Sequence, residues 1–357
     1  MDFALTHEQT LFQESLRRLL QNDAGAGLWA RFAELGLLAL PFSPEQGGIG
    51  AGPEETQIAM EEIGRALSGE PYLATVVLAG GILRRVTDQT ARIAAIAEGS
   101  LRMALAHTEP AHSHDRQDVT TRAVRDDDGW RIDGAKRLVI GGDVADSFIV
   151  SAQTGAQPQD LRLFIVDARS SGLTRSCYAT FDGMRVADLS FQNLHVPADH
   201  LIDTQGDAAA LIERVIDEAT AAVCAEAVGV MESAYRLTLE YIGTRKQFGV
   251  AIGSFQSLRH RAADMYIALE QSRSMAVLAM LRGASDDTAV RRRAVSSAKV
   301  QIGRAGRELG QHAIQLHGAI GMTDEYKAGH LFKRLIAIEK IFGDTAAHLE
   351  RLIHHEH

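Results

Sequence analysis

Residues 241 to 265 read Tyr241-Ile242-Gly243-Thr244-Arg245-Lys246-Gln247-Phe248-Gly249-Val250-Ala251-Ile252-Gly253-Ser254-Phe255-Gln256-Ser257-Leu258-Arg259-His260-Arg261-Ala262-Ala263-Asp264-Met265. Arg245 stands beside a chain reversal from Gly249 to Gly253, and a helix follows whose first turn offers Phe255 and Gln256. A guanidinium presents a rigid fork of donors suited to a diphosphate. Beyond the reversal, Leu258, Ala262, Met265, Leu269, Ser272, Ala276 and Ala279 recur at spacings of three and four, the seam of a helix packed against neighbouring helices. Breaks at 249–253, 283–287 and 318–324 divide the chain after Pro197 into four long helices.

Toward the N-terminus the period changes from 3.6 to 2. Thr120-Thr121-Arg122-Ala123-Val124-Arg125 leads through Asp126-Asp127-Asp128-Gly129 into Trp130-Arg131-Ile132-Asp133-Gly134, a hairpin pattern with matching turn chemistry. Residues 147–151, 162–166 and 187–191 add strands at short spacing, and together they predict a small antiparallel barrel or sandwich. Residues 1 to about 100 read as helical. Thr6 and Gln9 form a capping box before Phe12, Leu16, Leu19 and Leu20, a second helix runs through Ala30 to Leu38, and Pro53 opens a third carrying Ile58, Ile63 and Leu67. The fold class is α+β, mainly α: an N-terminal helical domain (1–102), a central small antiparallel β-barrel domain (103–205) and a C-terminal four-helix bundle (206–357).

A chain of 357 residues, 46% hydrophobic and 23% charged, is ordinary for folded multidomain protein and excludes disordered or fibrous classes. The formal charge of −9, with acids and bases interleaved, removes the footprint of nucleic-acid binding. Met1 to Glu8 has early acids and no basic-then-apolar run, and no apolar stretch approaches a membrane span, so the reading is cytoplasmic without membrane insertion. Cys177 and Cys224 are too few for a disulfide framework and read as small buried hydrophobes. His112 and His114 with Asp115 lack a second cluster that would complete a metal site, and His354, His355 and His357 read as an exposed tail.

The segment 241–265 closely resembles the flavin-contacting signature of the acyl-CoA dehydrogenase family, and helix, β domain and helical bundle follow in that family's order. The resemblance implies FAD as cofactor, an acyl-CoA thioester as substrate and an electron-transfer flavoprotein as electron acceptor. It places Arg245 and Phe248 on the diphosphate and adenosine side, with Gln256 near the same cofactor across a subunit interface. A second block, Gln315-Leu316-His317-Gly318-Ala319-Ile320-Gly321, resembles the family's Gln-x-x-Gly-Gly-x-Gly segment along a neighbouring subunit's FAD, with Ala319 in place of the second glycine. A third, Ala104-Leu105-Ala106-His107-Thr108-Glu109-Pro110, resembles the first strand of the β domain, whose threonine, here Thr108, faces the flavin ring.

Departures from the pattern are as informative. Relatives continue Gly-x-Gly-Ser-Asp where this chain has Ala111 to Asp115, and carry Lys-x-Trp-Ile-Thr/Ser where it has Lys136-Arg137-Leu138-Val139-Ile140. The family reaction needs a carboxylate to take the proton beside the thioester. Most members place a Glu in an Ile-Tyr-Glu-Gly-Thr segment, and its position here is Phe342/Gly343 within Lys340 to Thr345. Other members use a Glu at a place that counts to Ala219, one residue from Glu218, which reaches the site only after a register slip. Glu226 and Asp344 are further candidates that read better as solvated or capping groups.

Within the family the chain most resembles the small subunits of heteromeric members such as that of pimeloyl-CoA dehydrogenase. Three readings follow: a base-lacking small subunit completed by a larger homologous subunit in an α2β2 assembly, a self-sufficient homotetramer using Glu218, and a degenerate structural paralogue without flavin. Retention of Arg245, Gln256 and Gln315 favours the flavin-binding readings over the last.

Overall fold

The computed structural model describes residues 5–22, 27–110 and 119–353, so His112, His114, Asp115 and the C-terminal histidines 354, 355 and 357 lie outside the described residues. The helices are α1 (His7–Asn22), α2 (Leu28–Glu34), α3 (Pro53–Ala66), α4 (Gly80–Leu83), α5 (Thr90–Ala97), α6 (Ala208–Thr244), α7 (Gln256–Gly283), α8 (Thr288–His317), α9 (Lys327–Lys340) and α10 (Thr345–Ile353). The strands are β1 (Met103–Ala106), β2 (Arg122–Arg125), β3 (Gly129–Ile140), β4 (Ser147–Gln153), β5 (Leu161–Asp167), β6 (Leu173–Ala179), β7 (Arg185–Pro197), β8 (Leu201–Ile202), β9 (Lys246–Gln247) and β10 (Val250–Ala251). Contacts gather the chain into two compact units.

The first unit comprises Met1–Ala24, Pro53–Ser68 and Thr220–His357. The capping box opens α1: Thr6 N–H donates to Gln9 Oε1 at 3.0 Å and Gln9 N–H to Thr6 Oγ1 at 3.2 Å. Helices α3 and α6 cross at two glycines. A Cβ on Gly229 would lie 1.8 Å from the Glu61 carbonyl oxygen and one on Gly64 2.2 Å from that of Glu226, so only glycine permits this approach. A charged knot ties α1, α3, α6 and α7 together. Arg65 reaches Glu61, Glu62 and Glu232 at 3.0, 3.2 and 2.7 Å, Arg273 reaches Glu61 and Glu232 at 3.0 and 3.1 Å, and Arg17 reaches Glu62 at 2.7 Å. Burial opposes ionisation of Glu232, yet Arg65 and Arg273 prevail and hold its carboxyl down at about 2. The expected fourth long helix is divided, α9 ending at Lys340 and α10 starting at Thr345, because Phe342 and Gly343 adopt φ of +61° and +108°.

The second unit comprises Gly25–Gly52 and Gly69–Ala219. Its sheet runs β6-β7-β3-β2-β4-β5-β8, with β1 added alongside β4. Most pairings are antiparallel, as the hairpin pattern predicts, but β1 lies parallel to β4. Phe148, Phe164, Phe191, Ile132 and Leu194 fill the core beneath it, with Trp130 edge-on to Phe164 at 5.4 Å. Cys224 of α6 is buried as expected, its thiol pushed up to about 12 by burial, whereas Cys177 on β6 is exposed.

Candidate functional site

The hairpin of β9 and β10 turns at Phe248 and Gly249, with φ of +53° and +80°. Two successive positive φ values suit the right-handed twist of a two-residue hairpin and thrust Phe248 outward, where it is 91% exposed. Its ring meets that of Phe255 edge-on at 6.3 Å. Arg245 precedes the hairpin. Its N–H donates to Tyr241 O at 2.9 Å and its carbonyl accepts from Ile252 N–H at 2.8 Å, which folds the hairpin back on the end of α6. Gln256 opens α7 and is exposed, as is Arg245.

The same surface carries the second block. Tyr241 stacks on His317 with centroids 4.6 Å apart, and Tyr326 closes on His317 at 5.1 Å. This aromatic cluster joins the ends of α6 and α8, which brings the close of α8 at His317 against the end of α6. Gln315 is exposed, and Gly318 caps α8 at φ +64°, its N–H donating to Ile314 O. A Cβ added to Gly249 or Gly318 would meet nothing within 4 Å, which leaves both backbones open to close approach. The Arg245 guanidinium, the Gln256 amide and open glycine backbone are donors that fit a dinucleotide diphosphate, with the exposed Phe248 ring beside them. The cluster of Tyr241, His317 and Tyr326 escapes sequence reasoning because its members lie 76 and 9 residues apart in different helices and turns.

The turn at 341–344 holds no glutamate. Instead Lys299, buried in α8, donates from Nζ to the carbonyls of Glu339, Ile341 and Gly343 at 3.0, 2.8 and 2.7 Å, placing a cation at the C-terminal end of α9. Three donors thus meet three acceptors. His348 approaches from α10, its Nδ1 3.1 Å from Ser296 Oγ, and a Cβ on Gly343 would lie 3.3 Å from its Nε2. Asp344 caps α10: Oδ1 accepts from Ala347 N–H at 3.0 Å and Oδ2 from Lys340 Nζ at 3.1 Å. That backbone N–H, with Lys340 second, holds its carboxyl down at about 2.

The remaining candidate carboxylates are also paired with basic side chains. Glu226 Oε1 accepts from Nε and Nη2 of Arg334 at 2.6 Å, all of it buried. Glu218 is held by Arg84 at 2.8 Å, Arg85 at 2.5 Å and Arg214 at 3.4 Å. Both oxygens of Glu218 thus accept from guanidinium groups, Oε2 from Arg84 and Oε1 from Arg85 and Arg214.

In the β domain Thr108 is exposed between buried His107 and Glu109. Beneath them Lys136, with no exposed surface, donates to Glu109 Oε1 at 2.6 Å, Ser151 Oγ at 2.9 Å and His107 O at 3.3 Å. Burial opposes the charge on Glu109, but Lys136 and the Thr120 and Thr121 donors hold its carboxyl at about 2; burial pushes the Lys136 ammonium down to about 8. Leu138, at the family's tryptophan position, sits in a β-bulge at φ +52°, exposed, its N–H donating to Asp188 Oδ1 at 3.0 Å.

Models of the N-terminal, middle and C-terminal domains of acyl-CoA dehydrogenases match residues 6–92, 104–194 and 209–355. This chain belongs to the acyl-CoA dehydrogenase family. Its enzymes are oxidoreductases acting on CH–CH groups. FadE12, an acyl-CoA dehydrogenase of Mycobacterium tuberculosis, is 31% identical over 322 residues, 87% of this chain and 82% of the relative. The ChsE4–ChsE5 complex of the same organism contains a chain of 25% identity and TM-score 0.87, matched over 99% of this chain and 98% of its own. The FAD complex of PigA has TM-score 0.90 at 24% identity, with 99% and 98% coverage, and bears on the fold alone. Among the described residues no helix is long and apolar enough to cross a membrane.

Proposed function

We propose that this chain is the FAD-binding, base-lacking subunit of a heteromeric acyl-CoA dehydrogenase, working with a larger homologous subunit that supplies the catalytic carboxylate. The observation that carries the reading is the fate of the candidate acids. Neither Phe342 nor Gly343 offers a carboxylate, and Glu218, Glu226 and Asp344 each answer to a positive partner. A dehydrogenase that keeps its cofactor surface and lacks a usable base in the usual place is incomplete alone.

In this reading Arg245 and Phe248 take the FAD diphosphate and adenosine side, Gln256 lies near the same cofactor across a subunit interface, and Gln315 and Gly318 lie along the FAD of a neighbouring subunit. Thr108 presents its hydroxyl and backbone to the flavin ring. FAD, when bound, supplies the ring that accepts hydride from the β-carbon of the acyl thioester. The division 1–102, 103–205 and 206–357 is the corresponding domain assignment. The ChsE4–ChsE5 complex, a similar fold solved as two named chains together, supports a two-subunit arrangement. An electron-transfer flavoprotein is the acceptor, and the cytoplasm the compartment, that this reading implies.

The visible absorbance of the purified chain, alone and co-expressed with a larger homologue encoded beside it, tests the proposal. Flavin bleached by acyl-CoA in the co-expressed complex alone is the expected result. Stoichiometric flavin bleached by acyl-CoA in the lone chain overturns it.

A further inference from the structure

The buried charges beneath Thr108 are concentrated on its two neighbours. Lys136 Nζ holds the carbonyl of His107 on one side and the carboxylate of Glu109 on the other, and Ser151 Oγ lies 2.9 Å from both Lys136 Nζ and His107 Nδ1. Glu109 accepts in addition from the N–H groups of Thr120 at 2.8 Å and Thr121 at 3.1 Å, and from the Thr120 hydroxyl. From β3, Arg137 N–H donates to the carbonyl of Thr108 itself at 2.8 Å. Residues 107, 108 and 109 are thus each tied down, and Thr108 alone of the three faces outward.

Stability is a poor explanation for such a brace. Apolar side chains of the same volume commonly replace a buried ion pair at no loss, because desolvation consumes most of the attraction. What the ion pair supplies is direction: its acceptors and donors fix one backbone path at the single exposed position. A contact residue held by such a supporting layer presents its donors within a narrow geometry.

We infer that Lys136 is a positioning residue for the cofactor, acting through Thr108. Together with Glu109 and Ser151 it sets the height and direction at which the Thr108 hydroxyl and backbone meet the flavin ring. This inference rests on the reading above that Thr108 faces that ring.

The test uses flavin-loaded protein, co-expressed with its partner where loading requires it. Ser151→Ala removes one arm without touching a charge. The double variant Lys136→Met with Glu109→Gln removes the pair without stranding either ion. The readouts are the visible bands and midpoint potential of the bound flavin, the dissociation constant for FAD, and thermal melting. Both variants are expected to shift the flavin bands and weaken FAD by about three- to tenfold, the worth of a misplaced hydrogen bond. Thr108→Val is expected to give the same shift, and adding it to the double variant to change nothing further, since the residues act as one unit. Should the double variant fail to fold, Ser151→Ala decides alone. Variants that melt lower yet keep the parental flavin bands, potential and affinity, while Thr108→Val shifts them, overturn the inference and leave the reading of Thr108 standing. Flavin-loaded Thr108→Val with unmoved bands overturns that reading and the inference with it.

Discussion

The two ends of the C-terminal helices treat their polar groups in opposite ways. At the end formed by α6, the β9–β10 hairpin and the close of α8, Arg245, Phe248, Gln256 and Gln315 stand exposed around open glycine backbone. At the end formed by α9, α10 and the middle of α6, each candidate acid is answered: Glu226 by Arg334, Asp344 by Lys340 and the cap of α10. Even the turn itself is secured by Lys299. Exposed donors keep their capacity for a ligand, whereas the oxygens of the paired carboxylates are already engaged by basic side chains or a helix cap. The contrast favours cofactor binding in this chain and proton abstraction outside it.

Releasing one of the neutralised acids challenges the contrast hardest. Arg334→Met strands buried Glu226 and is expected to lower stability by about 3–5 kcal/mol, read from urea unfolding. A change below about 1 kcal/mol would mean the pair is not the anchor described. An acid titration probes the charged knot of α1, α3, α6 and α7. The Glu232 carboxyl lies at about 2 against its usual 4.5, so its stabilisation is present above pH 4.5 and is lost as pH falls toward 2. The expected loss is about 3 kcal/mol, and Glu232→Gln should flatten that limb of the stability–pH curve.

On the exposed side, Arg245→Met is expected to leave the melting temperature unchanged while weakening FAD by about a hundredfold in the flavin-loaded assembly, since charge-assisted bonds to a diphosphate are lost. Unaltered flavin content after repeated gel filtration would remove Arg245 from the cofactor. Glu218→Gln has the smallest expected consequence for chemistry: turnover of the assembled enzyme within about twofold of the parent, where loss of a true general base costs about 10²–10⁴-fold.

The exposed side is largely legible in the sequence because its signals are local. Arg245, the Phe248-Gly249 turn and Gln256 span a dozen positions, and the period that follows them predicts α7. The pairing of the acids is not, because their partners are remote: Arg84 meets Glu218 across 134 positions and Arg334 meets Glu226 across 108. A lysine such as Lys299, set among Ala298 and Val300, gives no hint that three carbonyls from another helix end await it. Strand β6 gives no signal either, its residues being mostly exposed and without alternation, and the parallel placement of β1 on β4 is a choice of topology that no single strand records. The absence of a glutamate at Phe342 and Gly343 is plain from the sequence; what fills its place requires the fold.

Exchange of the α-proton of an acyl-CoA into D2O reports the base alone, independent of hydride transfer. If the labour is divided between two subunits, this chain, saturated with FAD and thioester, exchanges no faster than the thioester in buffer, and adding the larger homologous subunit switches exchange on. Rapid exchange by the lone chain would refute that division and put a working base among Glu218, Glu226 and Asp344.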